Sequence, residues 1–272
     1  MFNQRTALEQ VIVWVEEVGA LQLEQFGRRD LRIESKSTGY DLVTEVDRNS
    51  ERILTEKIRR AFPGHAILAE EGGGEDLPSD YLWVVDPLDG TVNFTHGFPI
   101  FGISVALQYR KQSMLGAVYF PVLKQLFHGI RGEGAYLNGE RLAVAANDRL
   151  DRALLVTGFP YDKAVDSWNN LDYFSRLFPL VNGVRRTGSA AFDLCNVAAG
   201  RLDGYWEMKV NPWDIAVGTL LVEEAGGVVH YLEDHPPITL IAGNEAICGL
   251  VRREIDAVDR EREKFKRGGE TI

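Results

Sequence analysis

The chain has 272 residues, 45% of them apolar and 10% aromatic, enough for a sizeable core and incompatible with low-complexity disorder. Its 30 Lys and Arg against 40 Asp and Glu leave a formal charge of −10, which argues against broad binding to phosphate backbones, so no direct nucleic-acid partner is expected. Cys195 and Cys248 lie far apart, outside any C-x-x-C pattern, and read as buried thiols of a reducing compartment, which excludes a disulfide-stapled scaffold.

Glu9, Glu16 and Glu17 interrupt the early apolar run, so the start does not read as a signal peptide. No stretch reaches about 18 uninterrupted apolar residues, and the expectation is a cytoplasmic protein without a membrane partner. Leu8, Val11, Ile12, Val15 and Val18 recur at helical spacing and predict a helix over 4–26. A second helix is expected from near Asp47, with Ile53, Leu54, Ile58 and Ala61 on one face and Pro63-Gly64 as its stop. Residues 66–69 and 83–85 are short apolar runs ending in acidic residues, and 71–76 between them reads as an acidic loop.

Residues 101–145 read as strands, with 103–107 and 115–120 as antiparallel neighbours, 125–130 following, and Asn138-Gly139 as a type I′ hairpin turn. Past a mild boundary near 147–151 the chain alternates. A strand is expected at 154–156, helices at 168–178, 190–199 and 215–225, and strands at 228–229 and 239–242. Gly200 and Gly226 stop two of those helices, and a helix of alternating charge closes the chain. The class is α+β, in layers.

The most informative segment is Trp83-Val84-Val85-Asp86-Pro87-Leu88-Asp89-Gly90-Thr91. A buried strand delivers Asp86, Pro87 biases it toward extended backbone, and a turn brings Asp89 beside it. The Gly90 and Thr91 amides then face a phosphate, as helix N-termini do; a simple turn with Asp89 as a helix cap is the competing reading. Glu70 after the 66–69 run, Asp47 in Thr44-Glu45-Val46-Asp47, and Asp214 after Pro212-Trp213 are each explicable singly as solvated charge or capping. Jointly, five carboxylates at the ends of buried elements repel unless cations sit between them. Oxygen-only ligands suit Mg²⁺ or Mn²⁺ and argue against zinc, and such ions reconcile an acidic protein with an anionic substrate. The five histidines form no ligand pair, and no P-loop, G-x-S-x-G or dinucleotide motif appears.

Asp41-Leu42-Val43-Thr44-Glu45-Val46-Asp47, Glu70-Glu71, the 86–94 string Asp-Pro-Leu-Asp-Gly-Thr-Val-Asn-Phe and Trp213-Asp214 occur in the order and spacing of the inositol monophosphatase family, which the chain resembles over roughly 8–250. Thr157-Gly158-Phe159-Pro160-Tyr161 and Arg186-Thr187-Gly188-Ser189 are similar to the bacterial members, and Val217 departs from the smaller residue expected there. The resemblance implies a layered α/β/α/β/α sandwich spanning 1–272, with an active site between halves of about 1–148 and 149–272. It implies two to three Mg²⁺ ions: Glu70, Asp86 and the Leu88 carbonyl at the first, Asp86, Asp89 and Asp214 at the second, Glu70 and Asp47 at a weaker third.

By the same resemblance Thr91, oriented by Asp47, activates water together with Glu70. Gly90 and Thr91 cradle phosphate, Ser189, Ala190 and Glu207 contact a polyol, and Lys36 lies in a loop approaching the site. The implied activity is hydrolysis of a phosphate monoester, myo-inositol monophosphate first. Fructose 1,6-bisphosphate, histidinol phosphate and 3′-phosphoadenosine 5′-phosphate are alternatives on the same metal core. A homodimer, sensitivity to lithium and, from another class of function, association with the transcription machinery are also implied.

Overall fold

The computed structural model describes residues 2–28, 33–35, 42–74 and 77–268, the side chains of 265–268 excepted. Helix α1 (Gln4–Gln25) starts where the Asn3 side chain accepts from the Arg5 and Thr6 amides, and it buries Val11, Trp14, Val15, Val18 and Gln22 along one face. A short ribbon of β1 (Ile33–Ser35) and β2 (Leu42–Thr44) leads into α2 (Glu45–Ala61). Then come β3 (Ala66–Ala69), β4 (Gly73–Gly74), β5 (Tyr81–Asp89), the single-turn α3 (Thr91–Thr95), β6 (Gly102–Tyr109), β7 (Gln112–Phe120), β8 (Gln125–Ile130), β9 (Gly134–Leu137) and β10 (Glu140–Arg141). The second half runs β11 (Leu154–Thr157), α4 (Leu171–Leu177), β12 (Gly183–Arg185), α5 (Ala190–Ala198), β13 (Gly204–Val210), α6 (Pro212–Glu224), β14 (Val228–Glu233), β15 (Ile238–Gly243) and α7 (Glu245–Gly268).

The strands form an eight-stranded sheet, in the order β10-β9-β8-β7-β6-β5-β3-β4, and a five-stranded sheet, β12-β11-β13-β15-β14. Alternation along the strands assigns the faces. Trp83, Val85, Ile103, Val105, Leu115 and Ala117 point outward and pack against Val11, Val15, Leu54 and Ile58 of α1 and α2. Val84, Ala106, Val118 and Phe120 point inward, onto Leu194, Val217 and Leu221 of α5 and α6, which also cover Tyr205, Leu240 and Ala242 of the second sheet. The far face of that sheet, with Leu155, Trp206 and Ile241, meets Tyr173 and Leu177 of α4 and Ile247, Val251 and Ile255 of α7. The result is the expected five-layered α/β/α/β/α sandwich. Val217 fits because Gly116 lies under it, where a Cβ would come 2.8 Å from the Val217 Cγ2.

Asn138 and Gly139 both have positive φ and link Leu137 to Glu140 as a two-residue hairpin. Three expectations are corrected. The helix placed at 168–178 begins only at Leu171, after Asn170 takes a left-handed conformation, and α6 begins earlier, at Pro212. Within the acidic 71–76 segment, Gly73 and Gly74 pair with Ala69 and Leu68. Strands β1, β2, β12 and β13 carry no alternation visible in the sequence. For β13 the reason is that Tyr205 and Val210 enter one core and Trp206 and Met208 the other. Both cysteines are buried and free. Among the described residues no helix is long and apolar enough to cross a membrane.

Candidate active site

Strand β5 ends in a turn that several elements hold. Asp86 Oδ1 accepts from the Leu88 amide at 3.0 Å, and pairing with β6 slips between Asp86 and Asp89, which breaks the regular alternation at this corner. Gly90 takes a left-handed conformation, φ 91°, and a Cβ there would sit 2.9 Å from the Ile100 carbonyl, so the turn requires glycine. From α1, the fully buried Gln22 donates to the Pro87 carbonyl at 2.8 Å and to Ser50 Oγ at 3.1 Å. Neither role of Gln22 was visible in the sequence, where it reads as one more polar helix residue.

Asp47 caps α2: Thr44 donates to its Oδ2 through both amide and hydroxyl, and the Thr91 hydroxyl donates to Oδ1 at 2.8 Å. The capping and the functional readings of Asp47 therefore coexist. Thr91 Oγ1 also lies 3.1 Å from the Leu88 carbonyl. Asp89 crosses between the two sheets, its Oδ2 accepting from Ser189 Oγ at 2.5 Å and the Ala191 amide at 2.9 Å at the head of α5. Asp214, at the third position of α6, accepts from the Asn211 amide at 2.7 Å.

The carboxylates raise one another's proton affinity. Burial first, then the charges of Glu70, Asp89 and Asp214, hold Asp86 well above the usual carboxyl range. Burial pushes Asp89 to about 6 against the hydrogen bonds from Ser189 and the α5 amides. Asp214 is raised well above its ordinary value by burial and then by Glu70. No cation is among the main causes of these three shifts, and none of the three forms a salt bridge among the described residues. Nor, among those residues, are any three His, Cys, Asp or Glu side chains drawn into a ready-made cation cage.

A chamber of 620 Å³ opens over this corner, lined among others by Glu70, Asp89, Asp214, Ser189, Ala190 and Glu207. Glu207 lies on β13, where the Tyr205 hydroxyl donates to its Oε2 at 2.9 Å, and burial pushes its carboxyl to about 7. Gly158 gives it room, since a methyl group there would overlap the Glu207 carboxylate. The Ser189 hydroxyl is turned inward onto Asp89, and Ala190 beside it also lines the chamber. Gly90 and Thr91 line a smaller adjoining chamber of 250 Å³. Lys36 lies outside the described residues. Three chamber residues were not singled out as site residues from the sequence: Asp193, buried on α5 and accepting from Thr187 Oγ1; Arg186; and Lys209, bonded to Asp162 and Asp166.

This is the fold of a phosphatase of the layered-sandwich type. Residues 3–260 match the inositol monophosphatase family, and the chain belongs to it. It is 46% identical over 226 residues to an inositol-1-monophosphatase of Synechocystis, covering 82% of this chain and 78% of the relative. It is 45% identical over 216 residues to the Nus factor SuhB of Pseudomonas aeruginosa, covering 78% and 80%. With a fructose-1,6-bisphosphatase/inositol-1-monophosphatase of Aquifex aeolicus it shares 40% over 253 residues, covering 92% and 96%. The solved inositol monophosphatase of Anabaena superposes with a TM-score of 0.84 at 38% identity, covering 94% of this chain and 97% of that one. An IMPase/NADP phosphatase complexed with Mg²⁺ and phosphate superposes at 0.81 with 27% identity, covering 93% and 96%.

Proposed function

We propose that the chain hydrolyses myo-inositol monophosphate to inositol and phosphate in a Mg²⁺-dependent reaction. The observation that carries this reading is the corner where Asp86, Asp89 and Asp214 are held at high proton affinity, with no cation of the protein among the main causes, beside the Gly90 and Thr91 amides. The donor set fits the ion: every group is a hard oxygen, and hard oxygens suit Mg²⁺, with Mn²⁺ as a substitute. Glu70, Asp86 and the Leu88 carbonyl would hold one cation, Asp86, Asp89 and Asp214 a second, Glu70 and Asp47 a weaker third. When bound, such cations supply Lewis acidity toward the phosphoryl and leaving oxygens and make a nearby water more acidic.

The chain's own groups do the positioning. Thr91 gives its hydroxyl hydrogen to Asp47, which leaves the oxygen as an acceptor for a water proton, and Glu70 on the chamber wall is the second acceptor. The Gly90 and Thr91 amides take phosphoryl oxygens. Ser189, Ala190 and Glu207 face the polyol, and a Glu207 carboxylate discourages a second phosphate at that end, which places fructose 1,6-bisphosphate and the other esters behind inositol phosphate.

Inhibition by lithium, a homodimer and a cytoplasmic location belong to the same reading. The relative named Nus factor SuhB favours a second, compatible reading, a role beside the transcription machinery, and association that persists in EDTA would support it. The deciding experiment is phosphate release from inositol 1-phosphate, fructose 1,6-bisphosphate, histidinol phosphate and 3′-phosphoadenosine 5′-phosphate, each with Mg²⁺ and with EDTA. Mg²⁺-dependent turnover favouring inositol 1-phosphate is expected; no release from any ester by folded protein overturns the assignment.

A further inference from the structure

We propose that Arg186 is a further catalytic residue, whose guanidinium donates to the oxygens of the transferred phosphoryl group. The inference rests on the reading of the site as a phosphatase. Arg186 follows β12 and reaches the site from the second sheet's side of the molecule. It lines both chambers, sharing the smaller one with Gly90 and Thr91, the amides assigned to the phosphate. The guanidinium lies over Gly188, at φ 89°, where a Cβ would come 2.7 Å from Arg186 Nη1 and 3.0 Å from Asn93 Oδ1. Asn93 in turn donates to the Thr187 carbonyl at 2.9 Å and to the Ile100 carbonyl at 2.8 Å, which fixes the 186–188 turn against α3 and the Gly90 corner.

Lys163 is a second cation on the wall of the smaller chamber, and it is absent from the larger one, where the balance of charge sets Arg186 apart. The larger chamber carries Glu70, Asp89, Asp162, Asp193, Glu207 and Asp214 against two cations, Arg186 and Lys209. Lys209 is committed to Asp162 at 2.7 Å and Asp166 at 2.6 Å. Arg186 makes no hydrogen bond or salt bridge among the described residues; its charge reaches Glu207 and Asp193 only through space. The neighbouring Arg185 bonds back to the Val184 carbonyl and lines neither chamber. An exposed, uncommitted fork of donors beside the amides that take phosphoryl oxygens matches phosphate geometry better than an ammonium would. As charge spreads over the phosphoryl oxygens in the transition state, that fork meets oxygens the carboxylate corner cannot, because like charges repel.

The test uses the full chain carrying Arg186→Gln or Arg186→Lys, with inositol 1-phosphate and 4-nitrophenyl phosphate as substrates and inorganic phosphate binding followed by calorimetry in Mg²⁺. For Arg186→Gln, kcat/KM with both esters should fall by the same factor, about 10–100-fold, and phosphate should bind roughly tenfold more weakly. Arg186→Lys should recover part of the loss, and the Mg²⁺ activation midpoint should not move. Unchanged phosphate affinity overturns the proposal, as does a loss confined to one ester, which would put the guanidinium on the alcohol. If the wild type cleaves no ester, the assigned function fails, yet phosphate calorimetry on wild type and Arg186→Gln still decides the role of Arg186.

Discussion

Two acidic clusters, one reaching the chamber through Asp162 and Lys209 and the other through Asp89 and Asp214, are built oppositely. At the far end Asp162 and Asp166 converge on Lys209, and the three groups remain partly in water. Partial desolvation pulls the Lys209 pKa down, but hydrogen bonds to the two aspartates outweigh it and hold the pKa above the usual value. At the near end Asp86 and Asp89 are buried, Asp214 is partly so, and backbone amides and the Ser189 hydroxyl hold these carboxylates instead of a basic side chain. The first cluster has its charge paired within the protein, although Asp162 Oδ1 is buried without a hydrogen-bond partner. The second is oriented but left electrostatically incomplete, the condition in which a site takes cations from solution. Proximity of carboxylates therefore does not distinguish a metal corner from a structural ion pair; the supply of protein cations does.

Breaking the incomplete cluster should have the largest consequence. Asp86→Asn is expected to lower turnover by at least about 10³-fold while EDTA-treated protein melts no lower than wild type, because the change removes repulsion as well as function. Steady-state kinetics and melting curves check both halves, and near-normal activity would remove Asp86 from the metal corner. Gly158→Ala, which pushes a methyl into the Glu207 carboxylate, should raise KM for inositol 1-phosphate about 10–100-fold and leave the Mg²⁺ midpoint in place.

The pH response separates the clusters without mutation. Asp89, at about 6, and Glu207, at about 7, keep their protons to higher pH when folded than the ~4 at which they lose them unfolded. The folded state then binds more protons between about pH 4 and 7, so metal-free protein should lose stability as pH rises through that window. Mg²⁺ should reverse the loss, raising Tm by about 3–6 °C at pH 7.5 and hardly at pH 5. Scanning calorimetry at the two pH values, with and without EDTA, reads this directly. The smallest effect belongs to the charge-paired cluster: Lys209→Met should lower Tm by about 2–4 °C and raise KM only a few-fold, since its partners are partly solvated. A loss of Mg²⁺ affinity in that variant would erase the distinction between the two clusters.

The sequence by itself determined the local devices. The 83–91 segment carries its own strand, proline, turn glycine and helix start, so Asp86, Asp89, Gly90 and Thr91 were legible together. Asn138-Gly139 specifies its hairpin in the same way, α1 and α2 declare themselves by apolar spacing, and α5 and α6 by apolar runs that Gly200 and Gly226 end. Each of these is set by interactions within a few residues. Tertiary structure alone decided what depends on elements far apart in the chain. Strand β13 is buried on both faces, so it shows no alternation; its Glu207 was marked only by the family resemblance, and nothing near Lys209 in the sequence marked it. Gln22 holds a carbonyl 65 residues away, and Asp89 reaches 100 residues to Ser189. Whether a given charge is buried, paired or left to a cation is a property of the packed layers, because it depends on which neighbours exclude water and which bring donors.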